Sequence, residues 1–254
     1  MKKISNKIPR ITTRGYYDLS SGHKIKHNPY SFYPKKSLQQ LYSKKELTIM
    51  VHGLRNDGPG AIKKFVIAQR RLKKLGYSYP VIGFSYDANT KGAHLKKTAL
   101  KALRVGQKIA KQNGNNLSKF ITDFKQKSSD TKIRLMGHSL GTEVILSTIQ
   151  KLSTKSNTRN IIESVYFFGA SVPSNFANSR EYGKIMQEIV RKKIKNYYSP
   201  KDEVLKQSND ENWVKAPLGL YGATGKNIPK FSQKRVYPTN HRFVSYAKVL
   251  DSFP

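Results

Sequence analysis

The sequence predicts an α/β fold: a mostly parallel central sheet covered by helices on both faces, in one domain. Three observations predict it. Short apolar, β-branched runs alternate with amphipathic stretches from residue 46 to the end of the chain. Several of these runs are mostly apolar rather than strictly alternating, as strands buried on both faces are. One run ends on Gly137-His138-Ser139-Leu140-Gly141, directly before an apolar helical stretch. A chain of 254 residues can close one large core of this kind.

The elements follow in order. Residues 1–45 are rich in Lys, Ser, Tyr and Pro and show no sustained period, so they form a basic N-terminal extension, either a short edge strand or an extended arm. The alternating strand-and-helix domain occupies 46–254. Leu47-Thr48-Ile49-Met50-Val51 is the first strand and stops at His52-Gly53. A helix follows to about Leu75, its buried face Ala61, Phe65, Ala68 and Leu72 and its stop Gly76. Residues 79–85 are the next strand. A long helix over 93–111 turns Leu95, Ala99, Ala102 and Ile109 to the core and Lys97, Lys101, Arg104, Lys108 and Lys111 to solvent. Asn113-Gly114-Asn115-Asn116 reads as a break, with helix resuming over 117–127. Then come a strand at 133–136, a helix over 142–152, a strand over 161–168, a helix over 181–190 and a strand over 194–198. Residues 208–233 are mixed. A strand at 235–237 and a helix over 241–250 close the chain.

The chemistry centres on the pentapeptide. Glycine and serine are common enough that a chain of this length shows G-x-S-x-G by chance about one time in ten. Its position raises it: a strand-to-helix junction is where a nucleophile elbow lifts a serine hydroxyl out of the sheet. Glycines flank the serine because so tight a turn leaves no room for side chains. A serine hydroxyl needs a base to take its proton, and that base needs a carboxylate to orient it. In this topology the order is serine, acid, histidine. Of the six histidines only His241 follows Ser139. Asp202, in Ser199-Pro200-Lys201-Asp202-Glu203 just beyond a strand, is the candidate acid; the adjacent Glu203 is its main competitor, and Glu143 and Glu163 fall within a helix and a strand. An oxyanion hole would take the N–H of Leu140 and one from the His52-Gly53-Leu54 loop, Leu54 preferred and Gly53 the alternative. His52 then shapes that loop.

His-Gly after one strand, Gly-His-Ser-Leu-Gly after another, Ser-Pro-Lys-Asp-Glu after a third and Asn240-His241-Arg242-Phe243 near the end together resemble the α/β-hydrolase fold of lipase and esterase type, over about residues 46–250. Residues 51–56, 167–170 and 197–202 are similar, more narrowly, to lipase-like hydrolases related to eukaryotic transmembrane-and-coiled-coil-domain proteins. The membrane spans of those relatives have no counterpart here, so no membrane role is carried over. The resemblance implies a serine hydrolase that cleaves a carboxylic ester through Ser139, Asp202 and His241 and an acyl-enzyme, with no metal and no organic cofactor.

Composition adds a second theme. Lys and Arg total 48 against 15 Asp and Glu, a formal charge of +33. Such a charge attracts polyanions and anionic membranes. The alternative function is therefore a non-catalytic hydrolase-fold protein that binds one of these through its basic surface. The absence of cysteine excludes disulfides and thiolate metal sites. No run approaches a transmembrane span and the basic start develops no signal-peptide core, so the expected location is cytoplasmic, with peripheral membrane association as the variant. Between acid and base, Trp213, Leu218, Leu220 and Tyr221 either line an acyl pocket or cover the sheet edge.

Overall fold

The computed structural model describes residues 8–178, 180 and 182–254. The first seven residues of the basic segment and Glu181, where the helix over 181–190 is expected to begin, lie outside them. The chain forms one eight-stranded sheet. Its strands are β1 (Arg10–Thr12), β2 (Ser31–Tyr33), β3 (Glu46–Val51), β4 (Val81–Ser85), β5 (Lys132–His138), β6 (Ile162–Phe168), β7 (Val190–Tyr198) and β8 (Phe231–Arg235). Their order is β2-β1-β4-β3-β5-β6-β7-β8. Every neighbouring pair is parallel except β1 with β2. The helices are α1 (Lys35–Leu41), α2 (Gly58–Lys74), α3 (Ala99–Lys127), α4 (Gly141–Ser153), α5 (Tyr182–Ile189), α6 (Glu203–Asp210), α7 (Leu218–Tyr221) and α8 (Phe243–Val249).

Period-two alternation within the strands separates two cores. Leu47, Ile49 and Val51 of β3 and Ile133 and Leu135 of β5 pack with Ile109, Phe120, Val144 and Ile149 of α3 and α4. Met50, Met136, Tyr166 and Phe168 point the other way, onto α2 and α8. Ala61, Phe65, Ala68 and Leu72 are each fully buried, the face the helical spacing predicts for α2. Burial of a side chain such as Phe65 contributes roughly 1.5–3 kcal/mol. Asp57 starts α2 by accepting the Gly60 N–H at 2.7 Å, with Pro59 in the first turn.

Of the two forms open to the first 45 residues, the chain takes strand: β2 is the edge of the sheet, and β1 lies inside it, between β2 and β4. β1 pairs with β4, Ile11 is fully buried, and Tyr16 and Tyr17 join the core. From residue 8 the segment is therefore packed into the sheet rather than extending from it.

Two helical expectations fail for tertiary reasons. α3 runs unbroken through Asn113-Gly114-Asn115-Asn116. Gly114 is the contact with α4: a methyl there would lie 2.4 Å from Ser147 Cβ and 2.6 Å from its carbonyl carbon. Asn113 and Asn116 are buried and bonded. Thr13 Oγ1 donates to Asn113 Oδ1 at 2.7 Å, and Asn116 Nδ2 donates to the Tyr17 hydroxyl at 2.7 Å, so residues that locally favour a turn instead tie the helix to the N-terminal segment. The start of the helix is later than expected. A 3-10 turn at Lys96–Thr98 precedes Ala99, and Leu95 is 63% exposed rather than in the core. β7 begins at Val190 instead of 194, β8 covers 231–235 instead of 235–237, and the last helix starts at Phe243, which leaves His241 in the loop ahead of it.

Candidate active site

Because the strands are parallel, β3, β5 and β7 bring their C-terminal ends, and the residues after them, to one edge of the sheet. Ser139 is the residue after β5, and its φ is 52°. A non-glycine residue held there carries about 1–3 kcal/mol of strain that the surrounding packing must sustain. The packing is visible. Ser139 N–H donates to Phe168 O at 3.1 Å, and Thr142 N–H donates back to Ser139 O at 3.0 Å. Gly141 lets α4 start against β3: a methyl on it would lie 2.4 Å from Val51 O and 2.7 Å from His52 O. The turn leaves Ser139 partly exposed.

Asp202 and His241 arrive from two other loops. Asp202 caps α6, accepting the Leu205 N–H on Oδ1 at 3.1 Å. Its Oδ2 accepts His241 Nδ1–H at 2.7 Å and the Tyr246 hydroxyl at 2.6 Å. With Nδ1 so occupied, His241 Nε2 is the acceptor facing Ser139 Oγ, 2.9 Å away. The structure thus brings the three expected residues into one hydrogen-bonded row. The rival acids lie elsewhere: Glu203 is exposed on α6, Glu163 pairs with Arg191 and Lys192, and Glu143 sits on the first turn of α4, where burial raises its pKa and Lys111 partly offsets it.

The loop after β3 lies against the nucleophile. A methyl on Gly53 would lie 2.8 Å from Ser139 Cβ and 3.3 Å from its Oγ. Among the described residues, the N–H groups of Leu54 and Leu140 donate to no protein acceptor. Their side chains close on α3 at Gly106. Asn56 Nδ2 donates to both Gly53 O and Leu54 O at 2.9 Å, fixing the peptide planes of this loop. His52 is buried and shapes the loop as expected. Its Nδ1–H donates to Gly53 O at 3.0 Å, while Nε2 accepts the Tyr86 N–H and Arg14 Nη2.

Sequence reasoning missed Tyr246, Asn56, Arg14 and the role of His138. His138 Nε2–H donates to the backbone carbonyl of His241 at 2.7 Å, pinning the loop that carries His241. Its ring packs among those of His241, Phe243 and Tyr246. Each of these residues has an ordinary local reading, as a core ring or a turn residue. Only the chain's return from more than 100 positions away gives His138 its partner.

These environments set protonation. Burial pushes Asp202 up, but the hydrogen bond and charge of His241, the Tyr246 hydroxyl and the Leu205 N–H outweigh it, and its pKa is lowered. Burial and then the neighbouring His241 bring His138 down to about 3, and burial with Arg14 brings His52 well below its ordinary value. Both therefore stay neutral when folded and take a proton only on unfolding. Unfolded histidine titrates near 6.5, so their contribution is complete above about pH 6.5 and is lost as pH falls below it, for His138 down toward 3. Between pH 7 and 5 His138 should remove about 2 kcal/mol of stability. Denaturant unfolding at the two pH values checks this: His138→Gln should abolish that loss, and an unchanged pH dependence would refute the assignment.

The segment between acid and base covers the sheet. Leu218 and Leu220 of α7 are buried, and Leu218 N–H and Gly219 N–H donate to Val172 O and Ala170 O. Trp213 is partly buried and Tyr221 half exposed. A cavity of about 400 Å³ lies between α3, α4 and α5, against Lys111, Glu143, Gln150 and Phe176; Ser139 does not line it.

Comparison with curated proteins finds no match. Among solved structures, a cutinase-like protein from Cryptococcus sp. is 10% identical, with a TM-score of 0.41 over 76% of this chain and 77% of that one. A Trichoderma reesei cutinase, solved with a phosphonate inhibitor, is 20% identical, with a TM-score of 0.33 over 56% and 60%. An acetyl xylan esterase is 11% identical, with a TM-score of 0.38 over 67% and 94%. Nearer to this chain is a sequence family. Residues 33–213 match the model for "Alpha/beta hydrolase of unknown function (DUF900)", so with its parallel sheet and strand-to-helix serine turn the chain belongs to that α/β-hydrolase family.

Proposed function

We propose that this chain is a serine hydrolase that cleaves carboxylic esters through an acyl-enzyme. The observation that carries the reading is the unbroken row from Asp202 through His241 to Ser139, at 2.7 and 2.9 Å. The link from His241 to Ser139 is of the length that proton transfer requires, and the link from Asp202 orients the imidazole.

The steps follow from the protonation states. His241 Nε2 takes the proton of Ser139 as Oγ bonds to the acyl carbon. The carbonyl oxygen becomes an oxyanion and accepts the N–H groups of Leu140 and Leu54, which spend none of their capacity on protein acceptors. Collapse of this intermediate breaks the bond to the alkoxy oxygen, which leaves with the proton held on His241. A water then attacks the acyl-enzyme while His241 takes its proton. The carboxylic acid departs, and Ser139 recovers its hydrogen. Asp202 stays ionised throughout and stabilises His241 while it is charged.

The test is reaction with a fluorophosphonate probe. The wild-type protein should be labelled at Ser139, and Ser139→Ala and His241→Ala should both lose the label while keeping the wild-type unfolding midpoint. Absence of labelling on folded wild-type protein would overturn the reading.

A further inference from the structure

We propose that the catalytic rim is a docking face for an anionic lipid surface, so that the site takes acyl lipids from that surface. The substrate half of this inference rests on the ester-hydrolase reading; the docking half does not.

Three observations carry it. The first is where apolar surface is left exposed. Most of the large apolar side chains that stand in solvent follow the C-terminal ends of parallel strands, on either side of Ser139. Beyond β1 and β4 these are Leu19, Ile25 and Leu95, at 36%, 60% and 63% exposure. Their backbones are tied down: Lys91 N–H donates to Leu19 O and Ile25 N–H to Tyr16 O, so these side chains are held outward by ordered chain. Beyond β7 and β8, in the segments that carry Asp202 and His241, are Val204, Tyr237 and Val244, at 51%, 60% and 37%. The strand order puts β5, and with it Ser139, between the two groups.

The second observation is the placement of charge. Each apolar group is set among cations. Lys91, Lys96 and Lys97 flank Leu95, all exposed. Lys201 and Arg235 lie over the ring of Tyr237, at 6.0 and 5.5 Å from its centroid. The first turn of α3 holds no acidic residue, yet Lys96 and Lys97 stand just before it and Lys101 and Arg104 on its outer ridge. Cations at a helix N-terminus oppose the helix dipole and cost stability. They are placed against the local electrostatics, which an external anion would reverse. A bare polyanion such as nucleic acid would use the cations alone. The interleaved aliphatic and tyrosine side chains match a bilayer interface, where apolar groups enter the headgroup boundary and lysines hold anionic lipid.

The third observation is the openness of the nucleophile. Ser139 is partly exposed at this rim and does not line the cavity between α3, α4 and α5. A serine so placed suits an acyl group presented by a surface against which the rim closes.

The experiment uses the full chain and separates the two halves. Ser139→Ala protein is sedimented with vesicles of phosphatidylcholine alone or mixed with phosphatidylglycerol. It should bind the mixed vesicles and not the neutral ones. On that background Ile25→Ser with Leu95→Ser should weaken partitioning about tenfold at low and at high salt, since the lost term is apolar. Lys97→Gln should weaken it about fivefold at low salt and little at high salt. In the Ser139-containing protein, Ile25→Ser with Leu95→Ser should leave hydrolysis of a short soluble ester unchanged and slow hydrolysis of vesicle lipid. Failure to bind mixed vesicles would overturn the docking face. Binding that the two serine replacements leave intact, and that a DNA fragment displaces, would also overturn it in favour of a general polyanion surface. A protein that docks as described but cleaves neither ester would sink the ester reading and leave the docking face standing.

Discussion

His241→Ala is expected to lower the turnover of an acyl ester by about 10⁶-fold, as far as Ser139→Ala does, and the double replacement to lower it no further. The reason is that the two groups perform one proton transfer. Without the imidazole, Ser139 Oγ keeps its hydrogen; without the hydroxyl, the imidazole has no nucleophile to activate. Either way a residual acceleration of about 10³–10⁴ over water should remain, from binding and from the Leu54 and Leu140 N–H groups. The replacements leave the frame intact. His138 bonds the backbone carbonyl of residue 241 rather than its ring, and Asp202 keeps the Tyr246 hydroxyl and the Leu205 N–H. Turnover of a p-nitrophenyl ester by the two single variants and the double variant checks this. Losses that multiply would mean that the residues act independently, and the row would not be a catalytic unit.

Much of the fold was legible because it is written locally. β3, β5 and β6 are mostly apolar runs, interrupted only at Thr48, Arg134 and Glu163-Ser164, and α2 shows its buried face at spacings of four, three and four, so the local pattern finds them. The three-residue strands β1 and β2 are too short to show a period. What places Ile11 is the open edge of β4, fixed by a strand some 70 residues later. α3 fails to break at Gly114 because α4 needs that glycine for close approach, a requirement that propensity does not contain. Leu95 went astray in the opposite direction. Its helical spacing is right, but the turn that brings the chain from β4 ends only at Ala99, so the spacing never becomes a helix face.

The site shows the same division. Ser139 is singled out by its glycines and its junction, His241 by chain order and Asp202 by its place just beyond a strand. Those rules describe backbone topology, and topology is what the sequence states most plainly. The residues that hold these three side chains together obey no such rule. Tyr246 reads as one more apolar position of a short helix, and its hydroxyl gains meaning only when Asp202 lies 2.6 Å from it. Asn56 reads as a turn former, yet its amide secures two carbonyls of the oxyanion loop. Arg14 lies in the segment with the weakest pattern and reaches His52 and the carbonyls of Asn56 and Asp57. Each acts through a long-range polar contact that neither spacing nor composition records.

Asp202→Asn should cost about 10⁴-fold in turnover while leaving stability nearly unchanged, and the combination makes it the sharper test of the row. The asparagine can keep its carbonyl oxygen on the Leu205 N–H, so α6 retains its cap. Its amide nitrogen then faces His241 Nδ1, where the carboxylate had accepted a hydrogen at 2.7 Å. A donor in that place selects the other imidazole tautomer, with Nδ1 accepting and Nε2–H pointing at Ser139. A base that already carries its proton toward the nucleophile cannot take another, and the variant also loses the charge that steadies His241 during reaction. Stability separates this from a packing defect, which would lower turnover and stability together. Measuring turnover and denaturant stability of both proteins decides the matter. A variant that loses stability in proportion to activity would make Asp202 a structural cap, and a variant that keeps most of its activity would remove it from the row.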